Sequence, residues 1–370
     1  MTASLPVRRQ RRSATPTAAT GKGSRQVGLL PALAGAFALL VVAVAIGLSV
    51  GAAGLPLGTV WRAVANHIPF VPHPKVARVD DAIVWQIRAP RVVLAAIVGA
   101  MLAGGGATYQ GVFRNPLADP YLLGVAAGGG LGATAIIVSG GSTDLLPIAA
   151  FAGAVIAVAL TYALGSTARW DTGVGSPAVG NISILLAGVA VAALFTAMQT
   201  YLQQQHVTTI QEVYGWILGQ LTLASWSDVG MVTPYIAVAA VVLVACAGRL
   251  DVLRVGEEEA STLGIDPARL RLILIAAATL GTAAAVAVSG LIGFVGIIVP
   301  HTVRLTTSAS YRVLLPVSMV AGAAFLILAD VAARTVQAPA EIPLGVVTAM
   351  LGAPFFLYVL RSRRAREALS

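Results

Sequence analysis

The sequence has few charged residues. Asp, Glu, Lys and Arg together make up 11% of the 370 residues, and 57% are hydrophobic. A soluble globular chain carries about 25% charged residues. Charges this sparse cannot cover the surface of a water-soluble domain of this length, so lipid must be part of its surroundings. The composition therefore indicates a polytopic protein of the cytoplasmic (inner) membrane.

Residues and motifs for bond-changing chemistry are also scarce. The single cysteine, Cys246, excludes a disulfide framework and a cysteine-based metal site, and we interpret it as a small apolar core residue. The chain contains no Walker A sequence, no HExxH pair and no nucleophile elbow. We therefore expect a protein that is not an enzyme and that itself binds no cofactor and no metal.

The long apolar runs contain almost no ionisable side chains. Proton- and sodium-coupled carriers usually hold such groups at mid-depth, despite a cost of roughly 2.5–3.5 kcal/mol each. Asp330 comes nearest to an exception, and Arg334, four residues later, could pair with it on one helix face. This absence favours a transporter energised by a separate subunit, with an ion-coupled secondary transporter as the alternative.

The charge-free windows predict an all-α fold with ten transmembrane helices, since a membrane helix needs roughly 20 apolar residues. The window 272–303 is too long for one span, and Gly290 and Gly293 divide it into two. The short window 213–227 is typical of an interfacial or re-entrant helix. The connection 51–90 is rich in proline and is expected to be mostly irregular. The predicted spans are 28–50, 91–112, 120–140, 145–166, 181–202, 231–249, 268–289, 293–307, 313–333 and 343–361.

The basic residues predict the orientation. If the N-terminus is cytoplasmic, 18 of the 24 Lys and Arg residues lie inside and 6 lie outside, as the positive-inside rule requires. Both ends are then cytoplasmic, which needs an even number of spans. We expect a disordered basic tail over 1–27, a permease domain over 28–362 and a short tail over 363–370. The net charge of +9 is explained by this topology, so no nucleic-acid partner is expected.

Ten spans also divide into two halves of five with opposite orientation. Inverted repeats of this kind are common in transporters. The two halves show only faint similarity in sequence, so the inverted internal repeat is predicted from the parity of the spans.

Two groups of residues are candidates for contacts with partners. Arg88, Arg91 and Arg334 fall on the outer face against the general charge bias, where they could anchor to lipid phosphates or dock an acidic extracytoplasmic partner. The longest inner loop, 250–267, could form a short amphipathic helix that docks on a cytoplasmic partner or is simply solvated. The candidate contacts in this loop are Gly256, Glu257, Glu258, Glu259, Ala260, Leu263 and Gly264.

Four ordered motifs carry a resemblance to a known family. They are RAPRVVLAAIVGAMLAGGGATYQGVFRNPLADPYLLG (88–124), GEEEASTLG (256–264), GLIGFVGIIVPHTVRLTTSASYRVLLP (290–316) and ADVAARTVQAPAEIPLGVVTAMLGAPFF (329–356). Residues 30–362 resemble FecCD-type permeases, the membrane subunits of ABC importers for ferric siderophores, haem and cobalamin. Ala89 stands where the family pattern usually has Leu.

The resemblance implies a set of partners and roles. Such permeases have ten spans and pair with a second permease, either an identical copy or a paralogue. Two cytoplasmic ABC ATPases use ATP, and an extracytoplasmic binding protein delivers the substrate. Arg88, Arg91 and Arg334 would contact acidic residues of that binding protein, and the loop around Glu258, Ala260 and Gly264 would be the coupling helix on the ATPase. A ferric siderophore is the expected substrate because such permeases are common, with haem or cobalamin next.

Overall fold

The computed structural model describes residues 28–51, 53–70, 74–171 and 177–361. Over these residues the fold is all-helical and contains no strand, as the sequence predicted. The predicted tails 1–27 and 363–370 lie outside the described residues.

The helices follow one another with short connections. A π-helical stretch, Ile83–Arg88, joins the helix Arg78–Ala82 to the helix Ala89–Val112 without a break. In chain order the α-helices are α1 (Leu29–Ser49), α2 (Leu57–Ala65), α3 (Arg78–Ala82), α4 (Ala89–Val112), α5 (Val125–Val138), α6 (Leu146–Asp171), α7 (Pro177–Gln205), α8 (Ile210–Ile217), α9 (Trp226–Val255), α10 (Glu257–Thr262), α11 (Pro267–Ser289), α12 (Val295–Thr306), α13 (Tyr311–Thr335) and α14 (Leu344–Arg361).

Seven helical stretches in the described part of the chain are long and apolar enough to cross a membrane. They contain α1, α4, α6, α7, α9, α11 and α13. The other three predicted spans also hold helices, but α5, α12 and α14 are shorter or less apolar. The multi-pass character is therefore confirmed, whereas the number of ten spans stays a prediction.

The connection 51–90 is more helical than predicted. Helix α2 fills the stretch between Pro56 and Pro69, and its residues Val60 and Ala63 are fully buried. Proline before the first turn suits a helix start, because the missing N–H would have no helical partner there. The helix leading into α4 also begins at Arg78 rather than at residue 91. The prediction of a mostly irregular segment was wrong. It was based on the number of prolines, whereas Pro56 lies just before a helix, where proline is favoured.

Helices α4, α11 and α13 form the centre of the bundle, and α1 lies at its edge. Most residues of the first three are buried, whereas only 11% of the most apolar window of α1 is buried. At the crossing of α4 and α13, a side chain on Gly99 or Gly322 would collide with the backbone of the other helix. Small residues allow this close approach, and dense packing holds membrane helices together.

The long window 272–303 is divided as predicted. Helix α11 ends at Ser289, and Gly290 has a φ of +66°, a conformation that L-residues with side chains rarely adopt. Helix α12 begins five residues later at Val295. The Ser289 carbonyl accepts a hydrogen bond from Gln220 N at 2.9 Å. The end of α11, at the break before α12, therefore holds the segment that follows α8 in place.

The two groups of candidate residues lie at opposite ends of the bundle. Helix α4 starts with Arg91 near its N-terminus, and antiparallel α13 ends with Arg334 beside it. At the other end, Asp251 of α9 accepts hydrogen bonds from Ser310 Oγ and Tyr311 N at the start of α13, both 2.6 Å. Helix α10 follows α9 directly. We call these the arginine end and the α10 end.

Candidate functional site

Arg91 is the centre of an ion cluster at the arginine end. Its Nε donates to both carboxylate oxygens of Asp330, at 2.9 and 3.1 Å. Its Nη1 and Nη2 donate to Oε1 and Oε2 of Glu341, both at 2.9 Å. Parallel N–H···O bonds of this kind are strong and directional. One guanidinium therefore ties α4 to α13 and to the loop between α13 and α14.

Asp330 and Arg334 form the pair that their spacing predicted. Arg334 Nε lies 3.4 Å from Asp330 Oδ2, an ion pair whose geometry does not make it a hydrogen bond. Arg334 Nη2 donates to the carbonyl of Gly47 at 2.6 Å. Asp330 thus serves two arginines, and it is 1% exposed.

Arg88 bonds only to backbone carbonyls. Its Nη1 donates to Leu48 O and Ser49 O at 2.9 and 3.1 Å, and its Nη2 donates to Ala53 O at 2.5 Å. The last carbonyls of a helix have no partner within it, and a cation there also complements the helix dipole. Arg88 and Arg334 therefore cap the C-terminus of α1 and hold this edge helix against the bundle.

The arginines of the cluster are buried, and the cluster carries an excess positive charge. Arg88, Arg91 and Arg334 are 3%, 6% and 5% exposed. Three guanidinium groups face two carboxylates, Asp330 and Glu341, which leaves one positive charge without an acidic partner in the cluster. The structure thus brings the three predicted arginines together but places them beneath the surface. Contact with a partner protein stays a prediction.

At the α10 end, the predicted acidic turn divides into one inward and two outward carboxylates. Glu257 forms an ion pair with Arg271 of α11, and that arginine is 3% exposed. Glu258 and Glu259 are exposed. A buried charge requires a partner because desolvation is costly, so Glu257 holds α10 on α11. Of the three glutamates, Glu258 and Glu259 alone face solvent.

Helix α10 and the residues at its two ends, Gly256 to Gly264, form a tight turn that we call the α10 corner. Ala260 is fully buried and fixes the helix to the bundle, whereas Leu263 is 68% exposed. Gly264 has a φ of +77° and turns the chain, and Gly256 is the buried residue before the helix. Asp266 then accepts hydrogen bonds from Ala268 N and Arg269 N, which starts α11. Leu263 is thus presented at the tip of a well-fixed turn.

The surface has one groove beside α10 and another along α14. A groove of about 390 Å³ lies beside α10, with Glu259, Leu263 and Arg312 on its walls. A larger one of about 700 Å³ runs along α14 beside the end of α8 and is lined only by apolar residues and glycine. The lining residues of the larger groove are Ile217, Leu218, Leu291, Gly345, Val346, Ala349, Met350, Ala353 and Pro354.

Glu341 and Arg271 are partners of the candidate residues that were not predicted from the sequence. Glu341 lies in the quoted stretch 329–356, yet nothing in a linear sequence pairs it with Arg91, 250 residues away. For Arg271, an arginine at the start of a predicted span facing an acidic loop was an available signal. Among the described residues, no group of three or more His, Cys, Asp or Glu side chains could hold a metal ion.

Comparison with known proteins identifies the family. Residues 39–362 match the FecCD transport family. A cobalamin import system permease protein of Halobacterium salinarum is 43% identical, over 85% of this chain and 81% of that protein. A hemin transport system permease protein of Yersinia pestis is 38% identical, over 89% and 95%. An iron(3+)-hydroxamate import system permease protein of Bacillus subtilis is 33% identical, over 92% and 85%.

The fold has a solved counterpart. The structure of an inward-facing ABC transporter of the metal-chelate type superposes with a TM-score of 0.75 and 29% identity. The match covers 90% of this chain and all of that one. The two ends described above thus belong to a membrane fold that ABC transporters use. The chain is a member of the FecCD transport family and a multi-pass permease subunit of an ABC importer.

Proposed function

We propose that this permease carries a metal chelate across the cytoplasmic membrane on energy from two separate cytoplasmic ATPases. The observation that carries the proposal is the α10 corner, where Glu258 on the helix and Leu263 just after it are exposed while Ala260 and the Arg271 pair hold the helix in place. An element that is exposed yet firmly fixed is suited to receive a movement and to pass it into the bundle. ATP is used by the partner, and the permease itself changes no bond.

The proposed topology has ten spans, with both termini in the cytoplasm. It is supported by the 18 to 6 division of Lys and Arg and by the helix found in each predicted span. The α10 end then faces the cytoplasm and the ATPases. The arginine end faces outward, toward a substrate-binding protein.

The path for substrate is proposed along the apolar groove of α14, between this chain and a second permease. The groove leaves apolar side chains such as Met350 uncovered, 69% exposed. A contiguous apolar surface of this size usually meets lipid, ligand or another chain. A bulky chelate whose metal is enclosed by its ligand needs no charged side chains along its path. The second chain is an identical copy or a paralogue.

Among metal chelates, we put cobalamin ahead of haem and of a ferric siderophore. The cobalamin permease named above is 43% identical, against 38% and 33% for the hemin and hydroxamate permeases. The expectation of a siderophore from the sequence was based only on how common siderophore permeases are.

Reconstitution tests the function. Permease and ATPase are incorporated in liposomes, and the substrate-binding proteins of the same organism are supplied in turn with cyanocobalamin, haemin or a ferric hydroxamate. We expect ATP-dependent accumulation of cyanocobalamin and stimulation of ATP hydrolysis by the binding protein. Uptake without the ATPase subunit would support a secondary carrier instead. Uptake of only the iron chelate would reverse the order of substrates.

A further inference from the structure

We infer that Glu341 is an exchangeable internal carboxylate, which occupies Arg91 until an acidic side chain of the docking protein replaces it. The inference rests on the proposed docking of a binding protein at the arginine end. It names the contact that docking must open.

The two carboxylates on Arg91 differ in how firmly they are held. Asp330 projects from the middle of the α13 packing and has a side chain 2% exposed. Glu341 has a side chain 32% exposed and follows the exposed loop 336–340. Removing Asp330 would leave Arg334 without an acidic partner in the cluster and Arg91 with Glu341 alone. Removing Glu341 leaves Asp330 on Arg91, so Glu341 is the carboxylate that can leave at low cost.

The backbone near Glu341 does not have to move for this exchange. Ile342 N donates to Ala333 O at 2.9 Å, and Leu344 N donates to Gly219 O at 2.9 Å. The loop therefore stays anchored on both α13 and the segment after α8 while the Glu341 side chain rotates into solvent. Only one hydrogen bond besides those from Arg91 is lost, the one from Thr222 Oγ1 to Glu341 Oε2 at 2.9 Å.

The charge of the cluster favours an acidic partner. Three arginines face two carboxylates, so this cluster keeps one excess positive charge in the free permease. An arriving carboxylate meets a favourable potential and finds, in Arg91 Nη1 and Nη2, a fork already shaped for two parallel hydrogen bonds. The affinity of docking is then lowered by the need to displace Glu341. The internal contact makes docking reversible.

Two substitutions and a matched control test the exchange. Glu341→Gln keeps the shape of the side chain and removes its charge. Thr222→Val keeps the charge and removes the second hydrogen bond. Glu212→Gln makes the same charge change at an exposed position on α8. Each permease is purified with its ATPase in nanodiscs, and the dissociation constant of the binding protein that stimulates ATP hydrolysis is measured by interferometry.

If Glu341 is displaced by the docking protein, the two substitutions should tighten binding of that protein to different degrees. The dissociation constant should fall about tenfold for Glu341→Gln, which corresponds to about 1.4 kcal/mol. It should fall by a smaller factor for Thr222→Val, and Glu212→Gln should change it less than twofold. An unchanged or weakened affinity for Glu341→Gln overturns the inference, and so does an equal tightening by Glu212→Gln. A wild-type permease that does not bind the binding protein at all refutes the proposed docking itself.

Discussion

The arginine end and the α10 end use charge in opposite ways. At the arginine end the three arginines and Asp330 are buried between helices, and each arginine donates hydrogen bonds within the chain. At the α10 end, Glu258 and Leu263 face solvent while Ala260 and the Arg271 pair hold the corner beneath them. A charged motif can therefore either stabilise the fold or contact a partner. The burial of its charged side chains distinguishes these two roles.

The largest expected effect comes from removing the shared counter-ion of the arginine end. Asp330→Asn leaves Arg91 and Arg334 buried around a neutral side chain. Breaking a buried ion pair on one side costs about 3–5 kcal/mol. We expect a strongly reduced unfolding temperature in detergent, measured by intrinsic fluorescence. Asp144→Asn, at an exposed loop position, is the control, and an equal effect of the two would show that the cluster does not stabilise the fold.

A smaller loss of stability is expected where an arginine caps a helix. Arg88→Gln removes two hydrogen bonds from a charged donor to the end of α1 and a third to Ala53 O just beyond it. Bonds to charged groups are worth about 1.5–3 kcal/mol, so α1 should loosen and its amides should exchange faster. Hydrogen–deuterium exchange over Leu29–Ser49 measures this. The exposed Arg78→Gln should leave the exchange unchanged, and protection of α1 equal in both variants would contradict the capping role.

At the α10 end, substitution should affect assembly and leave the fold intact. Leu263→Asp puts a charge on the exposed tip of the corner, and we expect copurification of the ATPase and ATP-driven uptake both to fall roughly tenfold, as for an exposed anchor residue of an interface. The unfolding temperature should stay at the wild-type value. Val336→Asp makes the same change at an exposed position of the opposite end. If it lowered copurification of the ATPase equally, the α10 end would have no special role.

The smallest effect is a pH dependence of Glu341. Hydrogen bonds from Arg91 lower the pKa of Glu341 below its ordinary value of 4.5, and Asp330, Arg334 and Thr222 also face it. A lowered folded-state pKa stabilises the protein above pH 4.5, and this contribution is lost as the pH falls through the lowered value. The unfolding temperatures of wild type and Glu341→Gln should therefore converge below pH 4.5. The difference at neutral pH is less than about 1 kcal/mol because the side chain is partly solvated. A difference independent of pH would show that the charge is not involved.

Much of the helix pattern could be predicted from composition and charge. The apolar windows predicted ten spans, and each of them contains a helix. The division of 272–303 at Gly290 was also predicted correctly. The pairing of Asp330 with Arg334 also followed from sequence, since residues four apart share one helix face. These features depend on local spacing. The helices within 51–90 were missed because helix caps and proline positions were not considered there.

By itself the sequence determined a helical membrane protein with basic inner loops, an acidic α10 turn and three arginines that break the charge bias. Only the tertiary structure decided that those arginines are buried, that Glu257 faces Arg271, and that Glu341 and Asp330 share Arg91. The physical reason is distance along the chain. Arg91 meets carboxylates 239 and 250 residues away, and no local pattern specifies which side chains the packing of α4 against α13 brings together.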